Sequence, residues 1–233
     1  MEFHRFGDDA DPTVFFVMGW GNRVVHPTVD WFIERIVDAD FEVHAAEIPD
    51  NGTDFERDYL DPVTEYAREH LDAFRLLSHS TGGLVAAHLP ADGPRVYLSP
   101  FWGLNTQGVS GVLMRALMRL PTDRQFLGSD IDGQLLGAHK DPEVVRTSIP
   151  DASPAWLQTM ADAHASLPEF REGSRVFCSL SDRVVDVRAI GDHAPADAIT
   201  LFDGGHEIFA VEGRDAYTDQ VIAALRPRSG RSR

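Results

Sequence analysis

The residues best suited to chemistry begin with a serine between a predicted strand and a predicted helix. Ser80 lies in residues 78–83, which read Ser-His-Ser-Thr-Gly-Gly. A serine on a tight strand-to-helix turn has a strained backbone, so the residues two positions away must be small, as Ser78 and Gly82 are. The turn exposes the hydroxyl to the N-terminus of the next helix, which favours developing negative charge. The pattern predicts a nucleophile, with a helix start carrying an incidental serine as the alternative.

A serine hydroxyl is a weak nucleophile, so the chain must also supply a base and a carboxylate that orients this base. Two later loops contain such groups. Asp182 follows the predicted strand 175–179, and His206 follows the predicted strand 199–202. Because the carboxyl ends of parallel strands meet at one edge of a sheet, we expect both side chains at the same edge as Ser80.

The elements that would position these residues alternate between short β-rich runs and helical stretches, which is typical of a parallel sheet with crossover helices. The predicted strands are 2–6, 14–18, 41–48, 73–78, 95–98, 175–179 and 199–202. The predicted helices of the core are 28–38, 62–71, 81–89 and 216–225. The sequence therefore favours an α/β fold.

Residues 101–172 interrupt this alternation, because they show helical patterns and loops without a convincing strand. Leu113 and Leu117 lie at helical spacing in one predicted helix, and a second helix begins at Pro154. We expect an α/β core formed by residues 1–100 and 173–225, a helical cap insertion at 101–172 and a disordered basic tail at 226–233.

The order of the three candidate residues, serine, then aspartate, then histidine, resembles that of the α/β-hydrolase family. The resemblance covers residues 14–225, with residues 101–172 in the position of the family's variable cap. It implies a mostly parallel sheet flanked by helices. It also implies that Ser80 is the nucleophile, that His206 is the general base and that Asp182 holds the imidazole.

Two other carboxylates compete with Asp182 for the position beside His206. Asp186 is expected in the helix that follows the loop, and Asp203 is too close to His206 in the chain to reach its ring easily. Asp182 lies in the loop itself, directly after the predicted strand. We therefore predict that Asp182 is the partner of the histidine.

The resemblance also locates an oxyanion hole, a pair of backbone N–H groups that stabilises the carbonyl oxygen as it becomes charged. Thr81, directly after the nucleophile, supplies one N–H. Trp20 supplies the other, because residues 18–21 (Met-Gly-Trp-Gly) are similar to the family's His-Gly-x-Gly loop and the glycines let the amide turn inward. The chain departs from the family at Met18, where histidine is usual, and at Ser78, where glycine is usual.

The implied reaction is the cleavage of an ester or thioester of a small to medium, partly apolar molecule through an acyl-enzyme. The same residues also serve acyltransferases, peptidases and haloperoxidase-like enzymes, and a catalytically silent protein that binds a hydrophobic small molecule is a further alternative. Candidates for the acyl pocket are Phe101, Trp102, Leu113 and Leu117. For each of these, packing of the insertion onto the core is the competing interpretation.

Neither a cofactor nor a metal is expected. The sequence contains no phosphate-binding loop and no dinucleotide fingerprint. The remaining histidines, including His79 beside the nucleophile, form no cluster with ligand spacing, so we expect them to pack in the fold or to face solvent.

The composition excludes further classes. The 233 residues include 21 basic and 37 acidic side chains, and a net charge of −16 disfavours binding to nucleic acid or to anionic membranes. The longest apolar run, 14–20, is too short to span a bilayer, and the acidic start is unlike a signal peptide, so we expect a cytoplasmic protein. Cys178 is the single cysteine and has no partner for an internal disulfide. The excess of carboxylates fits either a salt-rich cytoplasm or an ordinary acidic protein from a GC-rich genome. The oligomeric state is left open.

Overall fold

The sheet that positions the candidate residues is mostly parallel. The computed structural model describes residues 1–7, 12–103, 120, 122–127, 133–148 and 150–226. Its strands are β1 (Glu2–Phe6), β2 (Thr13–Val17), β3 (Glu42–Glu47), β4 (Phe74–His79), β5 (Arg95–Leu98), β6 (Arg175–Cys178) and β7 (Ile199–Leu201). They form one seven-stranded sheet in the order β1-β3-β2-β4-β5-β6-β7. β1 pairs antiparallel with β3, and the other pairings are parallel.

Helices cover both faces of this sheet. They are α1 (Pro27–Val37), α2 (Asp61–His70), α3 (Thr81–His88), α4 (Gly133–Leu136), α5 (Pro142–Ser148), α6 (Pro154–Ala165), α7 (Val187–His193) and α8 (Arg214–Leu225). A π-helical turn, Glu56–Leu60, leads into α2, and a 3₁₀ turn, Ala196–Ala198, leads into β7. No helix among the described residues has the length and apolar character needed to cross a membrane.

The apolar runs in the strands reflect burial on both faces of the sheet. Along β2, Val14 and Phe16 pack with the buried residues of α1 and α8, whereas Phe15 and Val17 pack with those of α2, α3 and α6. This alternation follows the two-residue period of a strand. The predicted strands and core helices agree with the observed ones to within one or two residues at most of their ends. The π-helical turn before α2 was not predicted.

The described part of the insertion, within residues 101–172, contains α4, α5 and α6 and one isolated antiparallel bridge between Leu127 and Ala152. Helix α6 starts as the sequence predicts, because Pro154 occupies the first turn and the Ser153 hydroxyl accepts a hydrogen bond from the Trp156 N–H at 3.1 Å. Trp156 lies in the same buried cluster as residues of the central strands, so α6 is a layer of the core. The predicted helix with Leu113 and Leu117 and the tail 227–233 lie outside the described residues.

Candidate active site

The turn between β4 and α3 holds Ser80 in a strained conformation. Its φ of 50° and ψ of −121° lie outside the regions that non-glycine residues normally adopt, at a cost of about 1–3 kcal/mol. Three main-chain hydrogen bonds fix this geometry. The Ser80 N–H donates to the Leu98 carbonyl at 3.0 Å, and the Ser80 carbonyl accepts from Gly83 at 2.8 Å and from Phe101 at 2.9 Å. The sheet and the loop after β5 therefore hold the serine in place.

Gly82 explains how α3 can approach the sheet so closely at this turn. A Cβ atom at residue 82 would lie 2.2 Å from the Val17 carbonyl oxygen and 2.4 Å from that of Met18. Both atoms are backbone, so they cannot swing away as a side chain could. Only glycine fits at this position, which is the steric requirement that the sequence pattern at residues 78–83 indicates.

Asp182 and His206 form a buried pair at the carboxyl edge of β6 and β7. The His206 Nδ1 lies 2.7 Å from the Asp182 Oδ2. The other carboxylate oxygen accepts hydrogen bonds from the Val184 N–H at 2.8 Å and from the Val185 N–H at 3.2 Å. Burial raises the pKa of Asp182, but the charge of His206 and these hydrogen bonds outweigh it, so the pKa lies below its usual value. The carboxylate stays ionised and fixes the imidazole.

The second ring nitrogen of His206, Nε2, is buried and has no hydrogen-bond partner among the described residues. The centroid of the His206 ring lies 4.8 Å from that of His79, the residue directly before Ser80. The imidazole thus lies beside the serine turn, with one nitrogen held by a carboxylate and the other available to exchange a proton.

The two competing carboxylates have other surroundings. Asp186 is the N-cap of α7, where its side chain accepts a hydrogen bond from the Arg188 N–H at 3.0 Å. Asp203 is exposed, and its own N–H donates to the Tyr217 hydroxyl at 3.1 Å. The structure therefore brings Asp182 to His206 and keeps the other two in separate contacts.

The two amides expected to form an oxyanion hole belong to Trp20, in the loop after β2, and to Thr81, which directly follows Ser80. Within the described part of the chain, neither the Trp20 N–H nor the Thr81 N–H donates to a main-chain carbonyl. The loop after β2 lies against the serine, because a Cβ atom on Gly19 would lie 3.0 Å from the Ser80 Cβ and 2.7 Å from the His79 Nδ1. The Trp20 indole N–H donates to the Asp50 carbonyl at 2.5 Å, which holds this loop in position.

Met18 occupies the position where the resemblance expects a histidine. Its side chain is fully buried in the apolar cluster that contains Phe16, and its N–H donates to the Ala46 carbonyl at 3.1 Å. The Trp20 ring stacks on Trp156 of α6 with ring centroids 4.9 Å apart. Apolar packing and aromatic stacking therefore support the loop here.

Comparison with known proteins gave no matching family model and no matching curated protein. Solved structures do match over nearly the whole chain. The monoacylglycerol lipase of Paleococcus ferrophilus is 19% identical with a TM-score of 0.75, covering 97% of this chain and 98% of that one. An esterase from Exiguobacterium antarcticum is 15% identical with a TM-score of 0.69, covering 97% and 95%. A soluble variant of monoglyceride lipase from Saccharomyces cerevisiae is 11% identical with a TM-score of 0.72, covering 96% and 90%.

The chain has the α/β-hydrolase fold. The fold class predicted from the strand–helix alternation and from the order Ser80, Asp182, His206 is thus confirmed. In this α/β-hydrolase fold the three residues lie beyond the carboxyl ends of β4, β6 and β7, the edge at which open parallel sheets collect ligands.

The predicted pocket residues differ in their surroundings. Trp102 is 4% exposed, its ring packs against Tyr97 and His193, and its indole N–H donates to the Gly83 carbonyl at 3.3 Å. Its contacts are those of a core residue that holds α3 against the loop after β5. Phe101 is also buried, with its ring parallel to that of Trp156 at 6.5 Å. Leu113 and Leu117 lie outside the described residues.

A buried polar network beside His206 was missed by the sequence reasoning. The Lys140 Nζ donates to both carboxylate oxygens of Glu207 at 2.8 Å. The Asn22 side-chain amide donates to Glu207 Oε1 at 3.0 Å, and the Asn22 Oδ1 lies 2.9 Å from the His79 Nδ1. His79 packs into the fold as expected. Lys140 is the only lysine and Glu207 directly follows His206, but neither fact predicts that the two residues pair.

A second cluster of potential ligands lies where β1 pairs with β3. Glu2, His4 and Glu47 place one ligand atom each within 4.8 Å of one another. Glu47 already accepts a hydrogen bond from the Val24 N–H at 2.8 Å and lies 3.5 Å from the Arg23 Nε. The carboxylate is thus engaged by groups of the protein itself, and one strand, β2, lies between β3 and the strand that precedes Ser80, β4.

Proposed function

We propose that the protein is a serine hydrolase that cleaves a carboxylic ester of a small to medium, partly apolar substrate through an acyl-enzyme. The observation that supports this most directly is the 2.7 Å contact between His206 Nδ1 and Asp182 Oδ2. It leaves the opposite nitrogen of the imidazole, Nε2, unpaired at the edge of the sheet where the strained Ser80 lies. These are the groups that a serine nucleophile needs for activation.

In the first half of the reaction, the Ser80 Oγ attacks the ester carbonyl carbon and its proton passes to His206 Nε2. The negative charge on the former carbonyl oxygen is stabilised by the N–H groups of Trp20 and Thr81. The Asp182 carboxylate stabilises the imidazolium that forms. When the carbon–oxygen bond of the ester breaks, the same proton passes from His206 to the leaving alcohol.

In the second half, a water molecule takes the place of the alcohol. His206 removes a proton from this water as it attacks the acyl carbon, and the oxyanion forms again between the same two amides. The bond to the Ser80 Oγ then breaks, the serine recovers its proton from the imidazolium, and the carboxylic acid leaves. The sequence of steps needs no group beyond those named.

The substrate class draws on the solved structures of similar fold. Those described by name as a monoacylglycerol lipase and an esterase act on ester bonds. Because identity is only 15–19%, they support an ester as the substrate and do not specify the acyl chain or the alcohol. Thioester cleavage uses the same attack on a carbonyl carbon, so the same groups would also serve a thioester substrate.

The proposal is tested by incubating the purified protein with a fluorophosphonate, measuring its intact mass, and assaying p-nitrophenyl butyrate hydrolysis. We expect one adduct on the wild type and none on Ser80→Ala, with hydrolysis reduced by several orders of magnitude in that variant. Ser166→Ala is the matched control, because this serine is exposed at the end of α6. An unlabelled, folded wild type would favour a binding protein, and labelling of Ser80→Ala would place the nucleophile elsewhere.

A further inference from the structure

The insertion is attached to the loop that carries His206 through its main chain. The His206 N–H donates to the Leu135 carbonyl at 2.9 Å, and the Glu207 N–H donates to the Leu136 carbonyl at 2.8 Å. Both acceptors belong to α4, whose C-terminal carbonyls have no partner within so short a helix. The loop after β7 therefore supplies hydrogen-bond donors to the free carbonyls of α4, and these bonds in turn fix the backbone at His206.

Close backbone packing tightens this junction. A Cβ atom on Gly205 would lie 2.4 Å from the Leu135 carbonyl oxygen, and one on Gly137 would lie 2.6 Å from the Ala210 carbonyl. The His139 N–H adds a third main-chain hydrogen bond, to the Ala210 carbonyl at 2.7 Å. Glycine on both sides of the junction lets the two segments touch backbone to backbone.

The Lys140–Glu207 ion pair closes the same junction through side chains. The side chains are 4% and 3% exposed, and both carboxylate oxygens accept from the ammonium group at 2.8 Å. Asn22 donates a further hydrogen bond to the same carboxylate at 3.0 Å. A buried ion pair with this geometry holds its partners in one arrangement, even where it adds little to stability.

The network continues from Glu207 to the neighbourhood of the imidazole. Asn22 connects the carboxylate to His79, whose ring lies 4.8 Å from that of His206. Burial, followed by the charges of His206 and Lys140, lowers the pKa of His79 well below its usual value. His79 therefore stays neutral and does not oppose the positive charge that His206 acquires during acylation.

We propose that Lys140 and Glu207 are positioning residues that fix the His206 loop against residues 133–140 of the insertion, so that the imidazole stays aligned with Ser80. This inference rests on the proposed function. It assigns the insertion a part in the catalytic machinery in addition to any contact with substrate. Neither residue touches the reacting atoms, so both act through the position of His206.

If the Lys140–Glu207 pair served stability alone, its removal would not change catalysis in a folded protein. A double variant distinguishes this role from the positioning of His206. Lys140→Met by itself leaves the Glu207 carboxylate buried without a positive charge beside it, which lowers stability whatever the role of the pair. Lys140→Met combined with Glu207→Gln removes both charges and retains an acceptor for Asn22. We expect the double variant to unfold within a few degrees of the wild type.

For p-nitrophenyl butyrate we expect the double variant to show a kcat about 10- to 100-fold lower at nearly unchanged KM, because misplacement of a catalytic group by about 1 Å costs on that order. The rate of fluorophosphonate labelling should fall by the same factor. The control is Arg35→Met with Asp219→Asn, which removes an exposed ion pair of 2.9 Å between α1 and α8 and should leave kcat unchanged.

A stable double variant with wild-type kcat and labelling rate would show that the pair serves stability alone and would overturn the proposal. Asn22→Ala provides a second test that leaves no charge unpaired, and it should lower kcat several-fold by releasing His79. Wild-type kcat in this variant would also count against the network. A folded wild type without hydrolysis or labelling would refute the proposed function itself, a result distinct from either of these.

Discussion

Replacing Asp182 by asparagine tests the carboxylate assignment with little change in shape. The carboxylate uses one oxygen for the His206 Nδ1 and the other for the N–H groups of Val184 and Val185. Two backbone donors require an oxygen, so the amide oxygen of the introduced asparagine takes that side and its NH₂ group faces the imidazole. The NH₂ group is a donor, so the His206 Nδ1 that faces it must be an acceptor without a proton. The neutral imidazole then carries its proton on Nε2.

A histidine protonated on Nε2 cannot accept the proton of Ser80. The equivalent change in other Ser-His-Asp enzymes lowers kcat by about 10⁴-fold, which corresponds to about 5 kcal/mol of transition-state stabilisation at 25 °C. We expect a loss of this size for p-nitrophenyl butyrate and a similar loss in the rate of fluorophosphonate labelling. The far-UV spectrum of Asp182→Asn should match that of the wild type, because the backbone hydrogen bonds of the loop are retained.

Asp203→Asn is the matched control, because this carboxylate lies in the loop of His206 but is exposed. Asp186→Asn is a second control, at the N-cap of α7. Both should retain kcat within about twofold, since neither carboxylate contacts the imidazole, and surface changes of this kind usually have small effects. A kcat of Asp182→Asn within tenfold of the wild type, or an equal loss in Asp203→Asn, would refute the assignment.

Three further predictions concern stability. Gly82→Ala should lower the free energy of unfolding, measured in urea, by about 1–3 kcal/mol, because the added Cβ would lie 2.2 Å from the Val17 carbonyl oxygen. The control is Gly191→Ala in α7, where a Cβ meets nothing within 4 Å. This change should leave the free energy of unfolding unchanged or raise it. Stability should fall as the pH drops below 6.5, the usual pKa of histidine. Burial lowers the pKa of His26 to about 4 and that of His79 well below 6.5, so the unfolded chain binds more protons than the native one in this range. His26→Gln should make the fall in stability between pH 7 and pH 5 smaller in urea titrations. With a net charge of −16, the midpoint of thermal unfolding should rise with KCl because salt screens the carboxylates, and a midpoint that rises equally with sucrose, or not at all, would count against this explanation.

The sequence indicated the fold and the candidate triad because each of these features has a local pattern. Ser80 lies between a clear strand and a clear helix with small residues around it, and Asp182 and His206 each lie in the loop that follows a short apolar strand. Parallel strands bring their carboxyl ends to one edge whatever the loops between them do. For this reason three residues far apart in the chain could be placed together without any knowledge of the intervening structure.

The Lys140–Glu207 pair had no such pattern. Its formation depends on the path of the insertion between β5 and β6, and hydrophobic periodicity does not specify how a loop-rich segment returns to the core. Trp102 shows that the sequence can also suggest a role that the packing does not support. Its place after β5 suggested a pocket, but its contacts with Tyr97, His193 and the Gly83 carbonyl are those of a core residue, and only the packing of α3 and α7 decides between the two.

Several departures from ordinary packing rules lie together around Ser80 and His206, whereas others, such as the positive φ of Asp40 and the burial of Arg95, lie elsewhere in the fold. Ser80 has a positive φ, Asp182 is ionised in the interior, and the only lysine of the chain is buried. Each feature costs stability by itself, and the fold tolerates each because a rigid neighbour holds it: β4 with α3 for the serine, the loop after β6 for the aspartate, and the insertion for the lysine. Strain and buried charge persist where the surrounding structure holds a geometry against relaxation, and their occurrence together in Ser80, Asp182 and Lys140 supports a reaction that depends on the placement of a few atoms.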